Sequence, residues 1–277
     1  MPMLKYIFLG IVQGITEFLP VSSSGHLVIF QHLFKIDKGV VFLDTVLHLG
    51  TLCSLIIFFR RDIFVLICNF FSSIFNIIFR GRLFSIWRND VKFKLCIYIG
   101  ITTLITGVIV MLGKNFFERQ FESIDILIFT YPIIGVILFF TKNLYYGKKD
   151  LQHISLKDSI LLGIVQSFAI FPGISRSGIT ISFLFLRNLD KESAFKLSFL
   201  ISMPIILSAF VLKFKEAKEL GVQIPNLYLT AGFLSSFVFG LVTLYILRLI
   251  LKREGFYKFS YYCFFLSAVV LLLRIIY

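Results

Sequence analysis

Cysteines are few in this sequence, and none lies close to another along the chain. The four of them, Cys53, Cys68, Cys96 and Cys263, lie singly among apolar residues, and no Cys-x-x-Cys pair occurs. Zinc sites and disulfide frameworks are built from characteristically spaced cysteines. The sequence therefore indicates neither, and we interpret the thiols as small core or lipid-facing side chains.

Two further absences narrow the class of protein. The alternation of apolar and polar residues that a membrane β-barrel needs, in strands of about ten residues, is missing. RNA-binding motifs and low-complexity tails are missing too, so the net charge of +13 does not indicate a nucleic-acid partner. The charges lie mainly between apolar runs, where membrane topology and anionic lipid headgroups account for them.

What remains is a strongly apolar chain. Of its 277 residues 58% are hydrophobic, 35 are phenylalanine, and the mean hydropathy is +0.91. Soluble domains contain about 45–50% apolar residues, and several runs here approach the ~20 residues that span a bilayer. We expect an all-α polytopic membrane protein, folded as a single integral membrane domain over residues 1–277. The oligomeric state stays open.

Six runs are long and apolar enough to be predicted as full transmembrane helices. They are residues 43–59, 95–112, 124–141, 194–212, 228–250 and 257–276. Two more apolar segments, 4–34 and 156–186, are interrupted by Pro, Gly and Ser, and each half is too short to span the bilayer. We predict that these two form re-entrant hairpins of helix, break and helix. Residues 62–79 are apolar but contain two Asn and two Ser, so they are predicted as an interfacial helix.

The two interrupted segments are copies of one another. Residues 9–27 read LGIVQGITEFLPVSSSGHL and residues 162–180 read LGIVQSFAIFPGISRSGIT, with nine of the nineteen aligned positions identical. Apolar segments match by chance at Leu and Ile, but rarely at Gly, Gln and Ser-x-Ser-Gly together. We predict an internal duplication of residues 1–141 and 154–277, joined by the basic linker 142–153. Because three full spans per repeat is an odd number, the repeats are expected to have inverted topology.

The distribution of Lys and Arg predicts the orientation. With these spans, nine lie on the side of the N-terminus and eighteen on the opposite side, leaving out the Arg in the second break. Positive residues are enriched on the cytoplasmic side, so both termini are expected outside. The first break then enters from the outer face and the second from the cytoplasm, and the two are expected to meet near the bilayer midplane.

The polar residues of the two breaks indicate an anion-binding site. Serine caps the start of a helix, and the N–H groups exposed there attract anions, so two facing helix starts suit a phosphate. Capping alone would explain Ser22 and Ser175. It leaves Glu17, His26 and Arg176 unexplained, and ionisable residues at membrane depth usually mark functional sites. A structural ion pair between Glu17 and Arg176 is the plainer alternative.

These side chains match the requirements of phosphoryl transfer. Arg176 offers a planar fork for two phosphate oxygens, Glu17 can bind a divalent cation or take a proton, and His26 titrates near neutrality. Ser23 is a candidate nucleophile that needs a base nearby, either His26 or Glu17. His48 lies in an apolar run and is predicted to be an ordinary core histidine. A transporter or flippase of a lipid phosphate remains open, because inverted repeats with broken helices are also transporter architecture.

With these motifs the sequence resembles the undecaprenyl-diphosphatase family, also called bacitracin-resistance proteins. The first motif comprises Gln13, Glu17, Pro20, Ser22, Ser23, Ser24, Gly25 and His26, and the second Pro172, Gly173, Ser175, Arg176, Ser177 and Thr180. The resemblance implies hydrolysis of undecaprenyl diphosphate to undecaprenyl phosphate, which recycles the lipid carrier of peptidoglycan synthesis and gives bacitracin resistance. It also implies an enzyme of the bacterial plasma membrane that uses Mg²⁺ or Ca²⁺, with its site open to the outer face.

The resemblance also implies roles for individual residues. Its catalytic candidates are Glu17, Ser23, His26 and Arg176, with Glu17 also the metal residue. The substrate-binding candidates come from both copies: Gln13, Ser22, Ser24, Gly25, Gln166, Gly173, Ser175, Ser177 and Thr180. Many members of the family have Glu where this chain has Gln13, which supplies no negative charge. Glu17 is then the main candidate for binding a metal or taking a proton.

Overall fold

The computed structural model describes residues 2–34, 40–113, 125–144, 147–219 and 225–276. Almost all of these residues are helical, and the β-structure among them is one isolated bridge between Lys149 and Leu189. The chain is therefore an all-α protein, as the sequence predicts. The predicted start of one span at 124, and residues 145–146 of the predicted linker, lie outside the described residues.

Twelve α-helices lie within those ranges. In chain order they are α1 (Pro2–Thr16), α2 (Ser23–Phe34), α3 (Val40–Phe58), α4 (Arg60–Arg80), α5 (Leu83–Asn89), α6 (Val91–Leu112), α7 (Ile126–Phe140), α8 (Leu156–Ser167), α9 (Arg176–Leu186), α10 (Lys191–Glu219), α11 (Asn226–Lys252) and α12 (Phe259–Ile276). Short 3₁₀ turns occur at Thr141–Asn143, Leu151–His153, Phe168–Ile170 and Phe256–Lys258.

Six helices in the described ranges are long and apolar enough to cross a membrane. They are α4, α6, α7, α10, α11 and α12, two of them extended by a short 3₁₀ turn. The chain is therefore a multi-pass membrane protein. Five of the six coincide with predicted spans. The remaining predicted span, 43–59, corresponds to α3. Its described apolar stretch, Phe42–Phe58, is shorter than any of the six candidate membrane spans.

Residues 62–79 lie within α4, and their placement at the membrane interface stays a prediction. This segment forms part of one helix of 21 residues that is long and apolar enough to span a membrane. Its polar side chains do not need lipid headgroups, because Asn69 and Ser73 donate hydrogen bonds of 3.1 and 2.8 Å to Asp90. The opposite surface of α4 is exposed and apolar, with Phe64 and Phe71 about two-thirds exposed at 68% and 65%.

Both interrupted segments fold as two short helices separated by a turn. In the first, α1 ends at Thr16 and α2 begins at Ser23; in the second, α8 ends at Ser167 and α9 begins at Arg176. The arms contain 15, 12, 12 and 11 residues. At 1.5 Å per residue each arm covers roughly 16–22 Å, less than the ~30 Å of a hydrocarbon core. The predicted order of helix, break and helix is confirmed for both segments.

Small residues hold the first broken helix against α11. A Cβ added to Gly14 of α1 would lie 2.7 Å from the carbonyl oxygen of Ser236, and a Cβ on Gly10 of α1 would collide with the carbonyl oxygen of Gly232. Glycine at these positions lets the two backbones approach closely, as is usual between membrane helices. The end of α1, and with it the first turn, is therefore fixed by α11.

The helices of the two halves pack reciprocally. α1, from the first half, lies along α11 of the second, while α8 of the second half lies along α6 of the first. The last helices of the halves, α7 and α12, pack on each other, and so do α3 and α10. Each broken helix is thus supported by the opposite half of the chain. The inverted orientation of the halves stays a prediction.

Candidate active site

The two turns are in direct contact, and Ser22 is one of the residues that join them. Ser22 adopts a left-handed backbone with φ 64°, which is uncommon for a residue other than glycine. Its hydroxyl accepts hydrogen bonds from the N–H of Gly25 at 3.4 Å and from the N–H of Gly173, in the other turn, at 3.1 Å. Gly173 has φ 90°, and a Cβ there would collide with Thr130. The backbone of each turn is therefore shaped by the other.

Ser175 makes the corresponding contact from the second turn. Its hydroxyl caps α9 by accepting a hydrogen bond from the N–H of Gly178 at 3.1 Å. The same hydroxyl donates to the carbonyl oxygen of Leu19 in the first turn, at 3.3 Å. Ser177 lies 3.1 Å from it, hydroxyl to hydroxyl. Ser22 and Ser175, which occupy equivalent positions in the duplicated sequence, therefore cross-brace the two turns.

Glu17 is the carboxylate at the centre of the site. It follows the last turn of α1, and its side chain is only 5% exposed. The hydroxyl of Ser23, the first residue of α2, donates to Glu17 Oε2 at 2.5 Å, and Gln13 Nε2 donates to the same oxygen at 2.9 Å. A short bond from a hydroxyl to an ionised carboxylate is a strong one. The predicted nucleophile and one of its two predicted bases are thus brought together.

Arg176 opens α9 and faces the same carboxylate from the second turn. Its guanidinium Nη1 lies 3.8 Å from Glu17 Oε1, and its side chain is 25% exposed. Within the described residues, this contact is the one salt bridge of Arg176, and it is a loose one. The N–H groups of the guanidinium therefore remain available to an anion. The guanidinium thus lies at the same carboxylate as the Ser23 hydroxyl.

His26 is not joined to that pair. Its Nδ1 lies 2.7 Å from the carbonyl oxygen of Ser22, and its Nε2 lies 2.9 Å from the hydroxyl of Tyr262, on which the ring also stacks. A carbonyl can only accept, so Nδ1 carries the proton and Nε2 accepts from Tyr262. No hydrogen bond of the described residues links His26 to Ser23 or Glu17. Of the two predicted bases, the geometry favours Glu17.

His48 is a site residue that the sequence-based interpretation missed. Its Nδ1 lies 2.9 Å from Gln13 Nε2 and 3.4 Å from Glu17 Oε2. The signal that could have found it is the helical spacing of polar residues in α3, because Asp44, His48 and Thr51 recur at intervals of three and four. Such a polar face on an apolar helix needs polar neighbours in a membrane protein.

Two serines of α10 also face the site without having been predicted. Ser198 and Ser202 line a small cavity together with Glu17, Arg176 and Ser177. They are four residues apart and so lie on one face of the helix. Their hydroxyls add polar groups to the wall of the cavity opposite the two turns.

Comparison with known proteins agrees with this geometry. Residues 6–269 match the family model for the bacitracin resistance protein BacA. The chain belongs to this family. An undecaprenyl-diphosphatase of Alkaliphilus metalliredigens is 38% identical over 274 residues, 98% of each chain. Undecaprenyl-diphosphatase 4 of Bacillus thuringiensis is 35% identical over 272 residues, and an undecaprenyl-diphosphatase of Methanobrevibacter smithii 36% identical over 271, each covering 98% of this chain and 97% of the relative.

The remaining residues predicted from resemblance to the BacA family lie at different distances from the centre. Ser24 contacts the hydroxyl of Ser22 at 3.2 Å, and Gly25 packs under Tyr131, where a Cβ would lie 2.5 Å from its hydroxyl. Thr180, one turn into α9, contacts Ser198 at 2.6 Å. These three support the turns and the cavity wall.

Gln166, the copy of Gln13 in the second repeat, lies away from this centre. It is buried between α8 and α6, where its Nε2 donates to the hydroxyl of Thr106 at 3.1 Å. The same threonine donates to the carbonyl oxygen of Gly163 at 3.0 Å. Gln166 is therefore part of the contact that holds the second broken helix.

The donor set around Glu17 does not fit a divalent cation held by the protein alone. In the described ranges, no three Asp, Glu, His or Cys side chains are gathered into a group that could bind a metal. Gln13 stands where a second carboxylate would be needed and turns its NH₂ towards Glu17. Mg²⁺ and Ca²⁺ prefer several oxygen ligands. The cation that membership of the BacA family led us to expect stays a prediction, and no step below depends on it.

Proposed function

We propose that this chain hydrolyses undecaprenyl diphosphate to undecaprenyl phosphate and phosphate in the bacterial plasma membrane. The reaction would recycle the lipid carrier of peptidoglycan synthesis and confer bacitracin resistance. The observation that carries the proposal is the hydroxyl of Ser23, which donates at 2.5 Å to the buried carboxylate of Glu17 beside Arg176. The relatives are undecaprenyl-diphosphatases by name, and their name supplies the substrate of the proposal.

In this proposal, the diphosphate is bound by Arg176 and by the N-termini of α2 and α9. The guanidinium fork matches two oxygens of the terminal phosphate. α2 and α9 both begin at the two contacting turns, and helix N-termini attract anions. The Ser198 and Ser202 hydroxyls add polarity to the cavity wall, while their protons are donated to Thr180 and to the carbonyl oxygen of Phe199. Most of the catalysis in phosphoryl transfer comes from such positioning and charge neutralisation.

Chemistry begins at Ser23. Its oxygen attacks the terminal phosphorus while Glu17 takes the hydroxyl proton, so a serine–phosphorus bond forms and the bridging phosphorus–oxygen bond breaks. Undecaprenyl phosphate leaves. Water then attacks the phosphoserine, inorganic phosphate departs, and the proton held by Glu17 returns to Ser23. Direct attack by a water in the place of the hydroxyl would use the same base and the same Arg176.

The orientation of the site is part of the proposal. With the six predicted spans crossing the membrane and α4 at the interface, the two-to-one bias of basic residues supports a cytoplasmic location for the side opposite the termini, which opens the first turn to the outer face. The exposed apolar surfaces of the long helices would carry the polyprenyl tail among the lipids. A transporter or flippase, the alternative left open by the architecture, is not favoured by membership of this family.

Phosphate release from undecaprenyl diphosphate by the purified chain in detergent is the direct test. We expect release by the wild type and a loss of about 10²–10⁴-fold with Ser23→Ala, the scale of a lost catalytic group. Ser208→Ala is the matched control, because the Ser208 hydroxyl is exposed and bonds only within its own helix, to Pro204. A Ser23→Ala variant with full activity would refute the covalent route.

A further inference from the structure

His48 has no part in the chemistry proposed above, although it touches the carboxylate at its centre. Its Nδ1 is 3.4 Å from Glu17 Oε2, and its side chain is 28% exposed against 5% for Glu17. Gln13 lies between the two, with its Nε2 at 2.9 Å from each. The three side chains therefore form one contiguous group that ends at Ser23.

The direction of these hydrogen bonds follows from the chemistry of the carboxylate. An ionised carboxylate only accepts, so Gln13 must turn its NH₂ towards Glu17. The NH₂ has two protons, and the second points at His48 Nδ1. Nδ1 is then an acceptor, and the imidazole proton lies on Nε2. The Oε1 of Gln13 is left buried without a hydrogen-bond partner among the described residues. Only the donor side of the amide is therefore used.

The helix that carries His48 is held at a fixed position. α3 is locked to α11 by the Ser54 hydroxyl, which donates to the carbonyl oxygen of Phe237 at 2.6 Å. Close to it, a Cβ on Gly50 would approach the carbonyl oxygen of Phe233 to 2.6 Å, so the backbones are already in contact. An acceptor on a fixed helix orients the amide of Gln13, and an oriented amide fixes the carboxylate that it serves.

We propose that His48 is a positioning residue for the hydrolysis: through the amide of Gln13 it holds Glu17 Oε2 against the hydroxyl of Ser23. The inference rests on the proposed function and adds to it a residue that does not touch the substrate. Without the acceptor, the Gln13 amide is free to rotate and present Oε1 to the carboxylate, which repels Glu17 from its position. Misplacement of a catalytic group by about 1 Å can cost up to 10²-fold in rate.

Three substitutions at His48 separate this role from others. Asn places its Oδ1 the same number of bonds from Cα as His Nδ1, whereas Gln places its oxygen one bond farther out. We expect His48→Ala to lower kcat about 10–100-fold with KM within twofold of wild type. His48→Asn is expected to recover at least fivefold of that loss, and His48→Gln less. His32→Ala, at an exposed histidine of α2, is the matched control with unchanged kcat.

Several results would overturn the inference. One is a kcat for His48→Ala within twofold of wild type while Ser23→Ala is inactive. Another is a His48→Asn variant no better than His48→Ala, which would mean that His48 acts through its charge or its bulk. Thermal unfolding of each variant is measured in parallel, and a rate loss that follows unfolding in all three substitutions equally also contradicts a positioning role.

A readout independent of activity separates this inference from the proposed function. Absence of phosphate release by the wild type would refute the function alone. The ¹⁵N resonances of the imidazole, assigned by their loss in His48→Asn, report which nitrogen carries the proton. We expect the ring proton on Nε2 and a hydrogen-bonded Nδ1. A ring protonated at Nδ1 would show that Gln13 does not donate to it and would overturn the inference whatever the activity.

Discussion

Glu17→Gln separates a catalytic carboxylate from a structural one. The substitution keeps the shape of the side chain and one oxygen that can accept the hydrogen bonds now made by Ser23 and Gln13. It removes the negative charge and the ability to take a proton from Ser23. The two roles that the sequence leaves open for Glu17, base and ion-pair partner of Arg176, then predict different results for stability.

The magnitudes follow from the geometry of the site. Loss of a general base costs about 10²–10⁴ in rate, which corresponds to about 2.7–5.5 kcal/mol in the activation free energy. Stability is expected to change little, because two effects oppose each other: the neutral amide avoids the desolvation cost of several kcal/mol of a carboxylate only 5% exposed, while the hydrogen bonds from Ser23 and Gln13 are weaker to an amide than to a carboxylate. Its partner Arg176 is 25% exposed and 3.8 Å away, so the attraction returned is weak. A tight structural pair would instead lose about 3–5 kcal/mol when broken.

The assay measures kcat for phosphate release and the unfolding temperature on the same preparation. Glu254→Gln is the matched control, because Glu254 is half exposed and pairs with Lys191 far from the two turns. We expect a rate loss of at least about a hundredfold with little change in the unfolding temperature. A variant that keeps more than about a tenth of the wild-type kcat would refute Glu17 as the base. A variant that is active but markedly less stable would establish the structural ion pair.

Three further predictions concern the anion ligand, the helix packing and the dependence on pH. Arg176→Lys keeps the charge but loses the planar fork, and we expect about a 10–100-fold lower kcat/KM for phosphate release. Gly14→Ala would place a methyl group 2.7 Å from the Ser236 carbonyl oxygen and is expected to lower the free energy of unfolding by about 1–3 kcal/mol, whereas Gly107→Ala, in open space, does not. Burial raises the pKa of Asp90, but hydrogen bonds from the N–H of Phe93 and from the side chains of Ser73 and Asn69 outweigh it and hold the pKa below its usual value. The stability that Asp90 contributes is therefore present above its unfolded-state pKa of about 4 and lost as the pH falls through the lower folded value, and Asp90→Asn is expected to remove this acid-dependent part of thermal unfolding.

The location of the site was predictable because its residues conflict with their surroundings. Glu17, Ser23 and Arg176 are polar residues in apolar segments, and in hydrocarbon each unsatisfied group costs several kcal/mol. Because this cost is large, a polar residue in an apolar segment can be recognised as unusual from the sequence, without knowledge of the fold. The breaks themselves were predictable for a local reason as well, since proline and glycine end a helix and serine begins one.

What could not be predicted are the hydrogen-bond partners that lie far away in the sequence. Asn69 and Ser73 look like interfacial residues, and the sequence does not show that Asp90, seventeen positions beyond Ser73, accepts their hydrogen bonds. Likewise His26 looks like the natural base for a serine three residues away. The ring instead faces Tyr262, at the other end of the chain, while His48 from α3 reaches Glu17. Hydropathy and spacing report where a polar group lies, but not which way a helix turns it.

The two similar turns share a serine that joins them and differ at the residue that follows it. Ser22 and Ser175 occupy equivalent positions and bond across to the opposite turn, at 3.1 and 3.3 Å, so neither turn keeps its shape without the other. Cross-bracing of this kind constrains both copies to retain the serine. The next position has no such constraint, and there one copy carries Ser23 while the other carries Arg176. Two turns that stay in contact are thereby able to differ at their centres, and in the proposed function this difference puts the nucleophile on one side of the diphosphate and the positive charge on the other.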